Sequence, residues 1–245
     1  MPGIRPHPLF DCTGRLARPP FRLLLREARA YVGRRGRAPA PASVPAGDGH
    51  PVLVIPAFLK GDSYTGRLRR FLAKAGYAVH AARSGVNIGP TKHALARLEG
   101  RLAALHARYG RPVSLVGHSL GGTFARELAK LHPDQVRQVI CLGSPIRLPT
   151  ASNVEVLYRL LGFLHRRPSP DEAERLTQPP PVPAAAIYSR RDGIVAWESC
   201  LEMPGPGRVN IEVDAAHVTM PSNPAVILAV GRLLARSLDE MAATE

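Results

Sequence analysis

From residue 51 onward the chain alternates between short, unbroken apolar runs and longer segments whose apolar residues recur at helical spacing. Val52-Leu53-Val54-Ile55 contains no polar residue. A run of that kind predicts a parallel strand covered on both faces. Tyr77–Ala81, Pro112–Val116, Val136–Leu142, Ala184–Ser189 and Val209–Val213 read as further strands. Between them, helices are predicted at about Tyr64–Ala75, stopped by Gly76, at Thr91–Tyr109, stopped by Gly110, and at Thr123–Leu131. A last helix is predicted over Pro224–Leu238, with Asn223 as its N-cap. Strands and helices alternating at this length predict an α/β fold with one mostly parallel sheet and helices on both of its faces.

Two stretches break the rhythm. In the first half of 146–183, Val154, Leu157, Tyr158, Leu161 and Leu164 share a helical face, and Asn153 or Ser152 can cap it. Its second half opens with Ser169-Pro170-Asp171-Glu172, a helix-start signal, and Gln178-Pro179-Pro180-Pro181 closes it. This insertion reads as a small helical lid over the carboxyl ends of the strands, with Leu157 and Leu161 facing substrate. Residues 1–47 form a basic extension ending in Ala38-Pro39-Ala40-Pro41-Ala42, a stiff linker. Residues 48–245 form the main domain. The extension holds one helix, with Phe21, Leu24, Leu25, Ala28 and Val32 on one face. It either packs on the main domain or lets residues 15–37 rest weakly on an anionic membrane surface. Packing is preferred, because the apolar face is narrow and short.

The net charge of +14 is nearly all arginine and accompanies abundant Ala, Pro and Gly, which reads as codon bias rather than a selected patch. No zinc-finger, helix-turn-helix or RNA-binding signature goes with it, so no nucleic-acid partner is expected. Cys12, Cys141 and Cys200 have no metal-ligand spacing, and no metal is expected. No apolar run approaches a membrane span, and Met1–Pro8 shows no secretory core, so the expected location is cytoplasmic.

The chemistry is concentrated at Gly117-His118-Ser119-Leu120-Gly121-Gly122. This G-x-S-x-G sits between a predicted strand and a predicted helix, the context of a nucleophile elbow. Ser119 is thereby expected at a strained turn, its hydroxyl exposed at a helix N-terminus where free N–H groups favour a developing oxyanion. A serine needs a base and a group to orient that base. Asp192 and His217 follow the last two predicted strands, in the order Ser, Asp, His. Asp214, three residues from His217, belongs to the same turn. The Leu120 amide and one amide of the loop Pro56–Asp62, best that of Phe58, are the expected oxyanion donors. His118 is expected to shape the elbow and, with Asn87, to border the substrate pocket.

These segments resemble bacterial α/β-hydrolases of the lipase and esterase type. The resemblance rests on Val52–Leu59, Gly85-Val86-Asn87-Ile88-Gly89-Pro90-Thr91, the elbow, and Leu142-Gly143-Ser144-Pro145, and it spans roughly residues 50–238. It implies hydrolysis of a small ester or lipid by acyl transfer, with no metal or organic cofactor. Two alternatives share the fold: an acyltransferase, and a ligand-binding homologue without turnover. One departure stands out. Such proteins usually carry Pro-Gly-Phe where this chain has Pro56-Ala57-Phe58. If the loop needs a positive φ there, Ala57 distorts the oxyanion site.

Overall fold

The computed structural model describes residues 18–33, 39–89, 91–147, 175 and 177–236. The expected lid residues Leu157 and Leu161, and the helix caps proposed around them, lie outside the described residues.

Six parallel strands form the sheet: β1 (Pro51–Ile55), β2 (Ala78–Ala81), β3 (Val113–His118), β4 (Val136–Leu142), β5 (Ala184–Tyr188) and β6 (Arg208–Glu212). Their order is β2-β1-β3-β4-β5-β6. The chain runs from β1 outward to β2 and then crosses back to β3 on the other side of β1. The sheet therefore changes winding direction between β1 and β3. In open parallel sheets, ligands bind at the carboxyl ends beside such a switch point.

Strand side chains alternate between two cores. Val52, Val54, Val116, Ile140 and Ile187 pack on α2 (Gly66–Lys74) and α5 (Pro224–Leu234). Leu53, Ile55, Leu115, Val139 and Cys141 pack on α3 (Lys92–Tyr109) and α4 (Leu120–Leu131). Burial on both faces explains why the strands read as unbroken apolar runs. The helix ends follow their capping chemistry. Thr91 Oγ1 accepts from the Ala94 amide at 3.1 Å, Gly110 turns left-handed after α3, and Asn223 Oδ1 accepts from the Ala225 amide at 2.8 Å.

The N-terminal helix α1 (Phe21–Val32) departs from its expected orientation. Phe21 is 70% exposed and Val32 87%, and Leu25 and Ala28 also face outward. Of the predicted face only Leu24 turns inward, against Ile194, Val195 and Cys200. The one fully buried residue of α1 is Glu27. Polar pairing, not apolar content, sets which side of this helix faces in. No described helix is long and apolar enough to cross a membrane, and no described cluster of His, Cys, Asp or Glu has metal-holding geometry.

Candidate functional site

The turn from β3 into α4 carries the strain its sequence predicts. Ser119 has φ 53° and ψ −122°, a conformation that L-residues rarely adopt. The glycines around it are sterically required. A Cβ on Gly117 would overlap the backbone of Gly121 and Gly122, and one on Gly121 would strike the Ile55 and Pro56 carbonyls. The Ser119 amide donates to the Leu142 carbonyl at 2.9 Å, and the Ser119 carbonyl accepts from the Gly122 amide at 2.9 Å. Leu120 opens α4, so its N–H belongs to the first turn, which a helix leaves without intrahelical partners.

The close approach at Gly121 brings the loop after β1 against the start of α4. Asn87 holds this loop in shape. Its side-chain amide donates to the Pro56 carbonyl at 2.9 Å, and its carbonyl accepts from the Leu59 amide at 2.7 Å. Its own amide donates to the Lys60 carbonyl at 3.0 Å. Phe58 sits within this braced turn, which the Lys60 amide closes on the Ala57 carbonyl at 3.1 Å. The left-handed residue of the loop is Leu59, at φ 57°, and Ala57 is not among the residues with positive φ. The condition under which Ala57 would distort the loop is therefore not met, and alanine is compatible with the backbone here.

Asp192 and His217 meet at the same end of the sheet. Asp192 Oδ1 accepts from the Ile194 and Val195 amides, both at 2.8 Å, which fixes the carboxylate. Its Oδ2 lies 2.6 Å from His217 Nδ1, and both side chains are buried. Burial pulls the His217 pKa down, but the adjacent Asp192 charge and hydrogen bond, with a further contribution from Glu27, leave it raised above the ordinary value. Gly143, just past β4, lies between His217 and the elbow. A Cβ there would come 3.1 Å from His217 Nδ1, while the preceding Leu142 carbonyl binds the Ser119 amide. Asp214 points elsewhere, to Arg26 at 2.8 Å and Arg191 at 2.7 Å on the surface.

His118 is buried, its ring 4.7 Å from that of His217 and 5.5 Å from that of Tyr64. Burial and the neighbouring His217 push its pKa well below the ordinary value. It is not among the residues lining the adjacent cavity. That cavity, about 290 Å³, lies against the Asn87 loop; Ile55, Val86, Ile88 and Phe124 line it together with polar Ser84, Thr91, His93 and Arg97, and Ser119 and His217 are not among its lining residues. Glu27 also reaches the site, a residue that no sequence motif marks. Its carboxylate accepts backbone hydrogen bonds from Gly193, His217 and Val218.

A second Ser, His and Asp lie together at the amino end of the sheet. His50 Nδ1 is 2.5 Å from Asp48 Oδ1, and His50 Nε2 is 2.9 Å from Ser114 Oγ. Ser114 is 0% exposed and His50 1%. Burial holds the His50 pKa below its ordinary value despite Asp48. Sequence reading missed this cluster, because Asp48 and His50 precede β1 and Ser114 lies inside β3.

The chain belongs to the alpha/beta hydrolase fold family, which it matches over residues 50–174. Solved structures agree on the fold. A soluble variant of monoglyceride lipase from Saccharomyces cerevisiae, in complex with a substrate analogue, is 15% identical, with a TM-score of 0.57 over 82% of this chain and 91% of its own. The monoacylglycerol lipase of Paleococcus ferrophilus is 16% identical, with a TM-score of 0.54 over 82% and 97%. One of the metagenome-derived lipolytic enzymes LipS and LipT is 19% identical, with a TM-score of 0.57 over 81% and 95%. A search of curated protein sequences finds no match.

Proposed function

We propose that this protein is a serine hydrolase that cleaves carboxylic esters through an acyl-enzyme. The observation that carries this reading is the convergence, at the carboxyl ends of the strands, of a serine held at positive φ on a helix N-terminus with a buried, carboxylate-bound histidine. Ser119 Oγ attacks the ester carbonyl. His217 takes its proton through Nε2, since Nδ1 faces Asp192, and then protonates the leaving alcohol. Asp192 keeps the imidazole in that tautomer and offsets the charge of the imidazolium. The Leu120 amide and an amide of the braced Pro56–Lys60 turn, Phe58 first, receive the oxyanion. Water activated by His217 then releases the acid. The lipolytic enzymes among the structural neighbours are in keeping with an ester substrate.

The test is labelling with a fluorophosphonate together with an acyl-chain-length series of chromogenic esters. Wild type should be labelled and should turn over esters, and Ser119→Ala should do neither. Equal labelling of both proteins would end this assignment.

A further inference from the structure

α1 belongs to a part of the chain outside the family match, which begins at residue 50. Its contact with the rest of the protein is close. A Cβ on Gly193 would overlap the backbone of Leu23, so the loop carrying Asp192 lies directly against the helix. At that contact Glu27 is 3% exposed, a carboxylate with almost no water around it. A carboxylate so placed is tolerated only if its oxygens are satisfied. Glu27 Oε1 accepts from the Gly193 amide at 2.9 Å and from the His217 amide at 2.8 Å, and Oε2 accepts from the Val218 amide at 2.9 Å.

These three donors come from the two loops that must stay in register for Asp192 to hold His217. Gly193 directly follows Asp192, and the other two amides belong to His217 itself and its neighbour. Tyr64 holds the same segment from the opposite side, its hydroxyl donating to the Val218 carbonyl at 2.8 Å. We propose that Glu27 is a positioning residue: it clamps the Asp192 and His217 loops together and supplies a second negative charge behind the histidine. This inference rests on the esterase reading for its kinetic readout, but its central claim concerns the state of His217.

The charge matters as well as the geometry. The groups facing His217 are Asp192 from the loop after β5, Glu27 from α1, and His118 from the end of β3. Asp192 and Glu27 favour the imidazolium, while burial opposes it. Removing the Glu27 charge should therefore lower the pKa of His217 and move the acid limb of the kcat/KM profile to lower pH. The base must be neutral to act, so this limb follows its titration. Displacement of the two loops should also lower kcat, by up to about 100-fold.

The experiment uses full-length wild type, Glu27→Gln, Glu27→Asp and Arg26→Ala. The His217 imidazole is titrated by NMR, and pH profiles are recorded with a chromogenic ester. Glu27→Gln keeps the shape and loses the charge, and its amide nitrogen or oxygen can match only part of the donor set. It should lower the His217 pKa and kcat while changing KM by less than about threefold. Glu27→Asp should recover the pKa in part, and Arg26→Ala, which removes only the surface pair with Asp214, should leave both readouts near wild type. A His217 titration unchanged in Glu27→Gln, with any loss confined to the thermal midpoint, would overturn the proposal. If Ser119→Ala retains full ester turnover, the esterase reading fails, but the NMR titration still decides the role of Glu27.

Discussion

Two groupings of Ser, His and Asp lie at opposite ends of one sheet, each with a hydrogen-bonded His and Asp, and on the reading proposed above only the one at the carboxyl end supplies a nucleophile. At the amino end, Asp48, His50 and Ser114 are linked at 2.5 and 2.9 Å. Ser114 sits within β3, at a register shift against β4 between Val113 and Ser114, with no exposed surface, and Gln138 also hydrogen-bonds its hydroxyl, at 3.4 Å. Asp48 is held on its other side by Arg111 at 2.5 Å. This cluster satisfies buried polar groups, as a protein interior requires. At the carboxyl end, Ser119 sits at a strained turn beyond the end of β3, at the N-terminus of α4, where Gly121 packs against the start of the loop after β1. A linked Ser, His and Asp are therefore not sufficient. On the proposed reading, the strained backbone, the helix N-terminus and the switch point of the sheet are what set the Ser119 arrangement apart from the one at Ser114.

The largest test of this contrast replaces each serine. Ser119→Ala should lower ester turnover on the order of 10⁴-fold or more. Ser114→Ala should leave turnover within a few-fold but lower stability by about 1–3 kcal/mol, because His50 Nε2 loses its buried partner. Chemical denaturation and steady-state kinetics on both variants separate the roles, and a large kinetic loss in Ser114→Ala would erase the distinction.

The acids give the next contrast. Asp192→Asn should cost up to about 10⁴-fold in kcat, since an amide supports the wrong tautomer of His217. Asp214→Asn should change kcat little, because Asp214 pairs with Arg26 and Arg191 at the surface. The opposite ranking would shift the acid to Asp214.

The two histidines should then respond to pH with opposite signs. The His50 pKa is lowered on folding, so below about pH 6.5 the unfolded chain takes up the proton first and stability falls as the pH drops. The His217 pKa is raised on folding, so its contribution is complete below about pH 6.5 and is lost as the pH rises through the folded value. The thermal midpoint of His50→Gln, followed from pH 8 to pH 5, should fall less on acidification than that of wild type. In His217→Gln it should fall more steeply. Parallel curves would remove the electrostatic difference between the clusters.

The smallest effect is expected at Ala57. With no positive φ to relieve, Ala57→Gly should not raise kcat. It should cost about 0.5–1 kcal/mol through the added freedom of the unfolded chain. A faster variant would show that alanine strains the loop after all.

The elbow was legible because its constraints are local: glycines two residues either side of a serine, between an apolar run and a helix former. Asp192 and His217 were legible through their order and their places after strands. The strands were legible because burial on both faces leaves no polar interruption. Glu27 left no such trace. Its partners are three main-chain amides, which every sequence supplies, and it lies on a helix whose apolar residues suggested a different inward face. The resemblance raised a positive φ at Ala57 only as a condition, and the turn carries its positive φ at Leu59. The Asp48–His50–Ser114 cluster was illegible for a related reason. It depends on the alignment of β1 with β3, where Val52 lies opposite Ser114, and strand register is not printed in either segment alone.

The Glu27 clamp also dictates when the site can be completed during synthesis. Its three partners lie 166, 190 and 191 residues further along the chain. At ribosomal rates of roughly 5–20 residues per second, the carboxylate waits about ten seconds or more for them. In that interval α1 has no loops to hold, and the closures it finally makes are among the longest the chain contains, the kind whose entropy slows folding. α1 can thus fasten the site only after loops made 166 to 191 residues later have emerged.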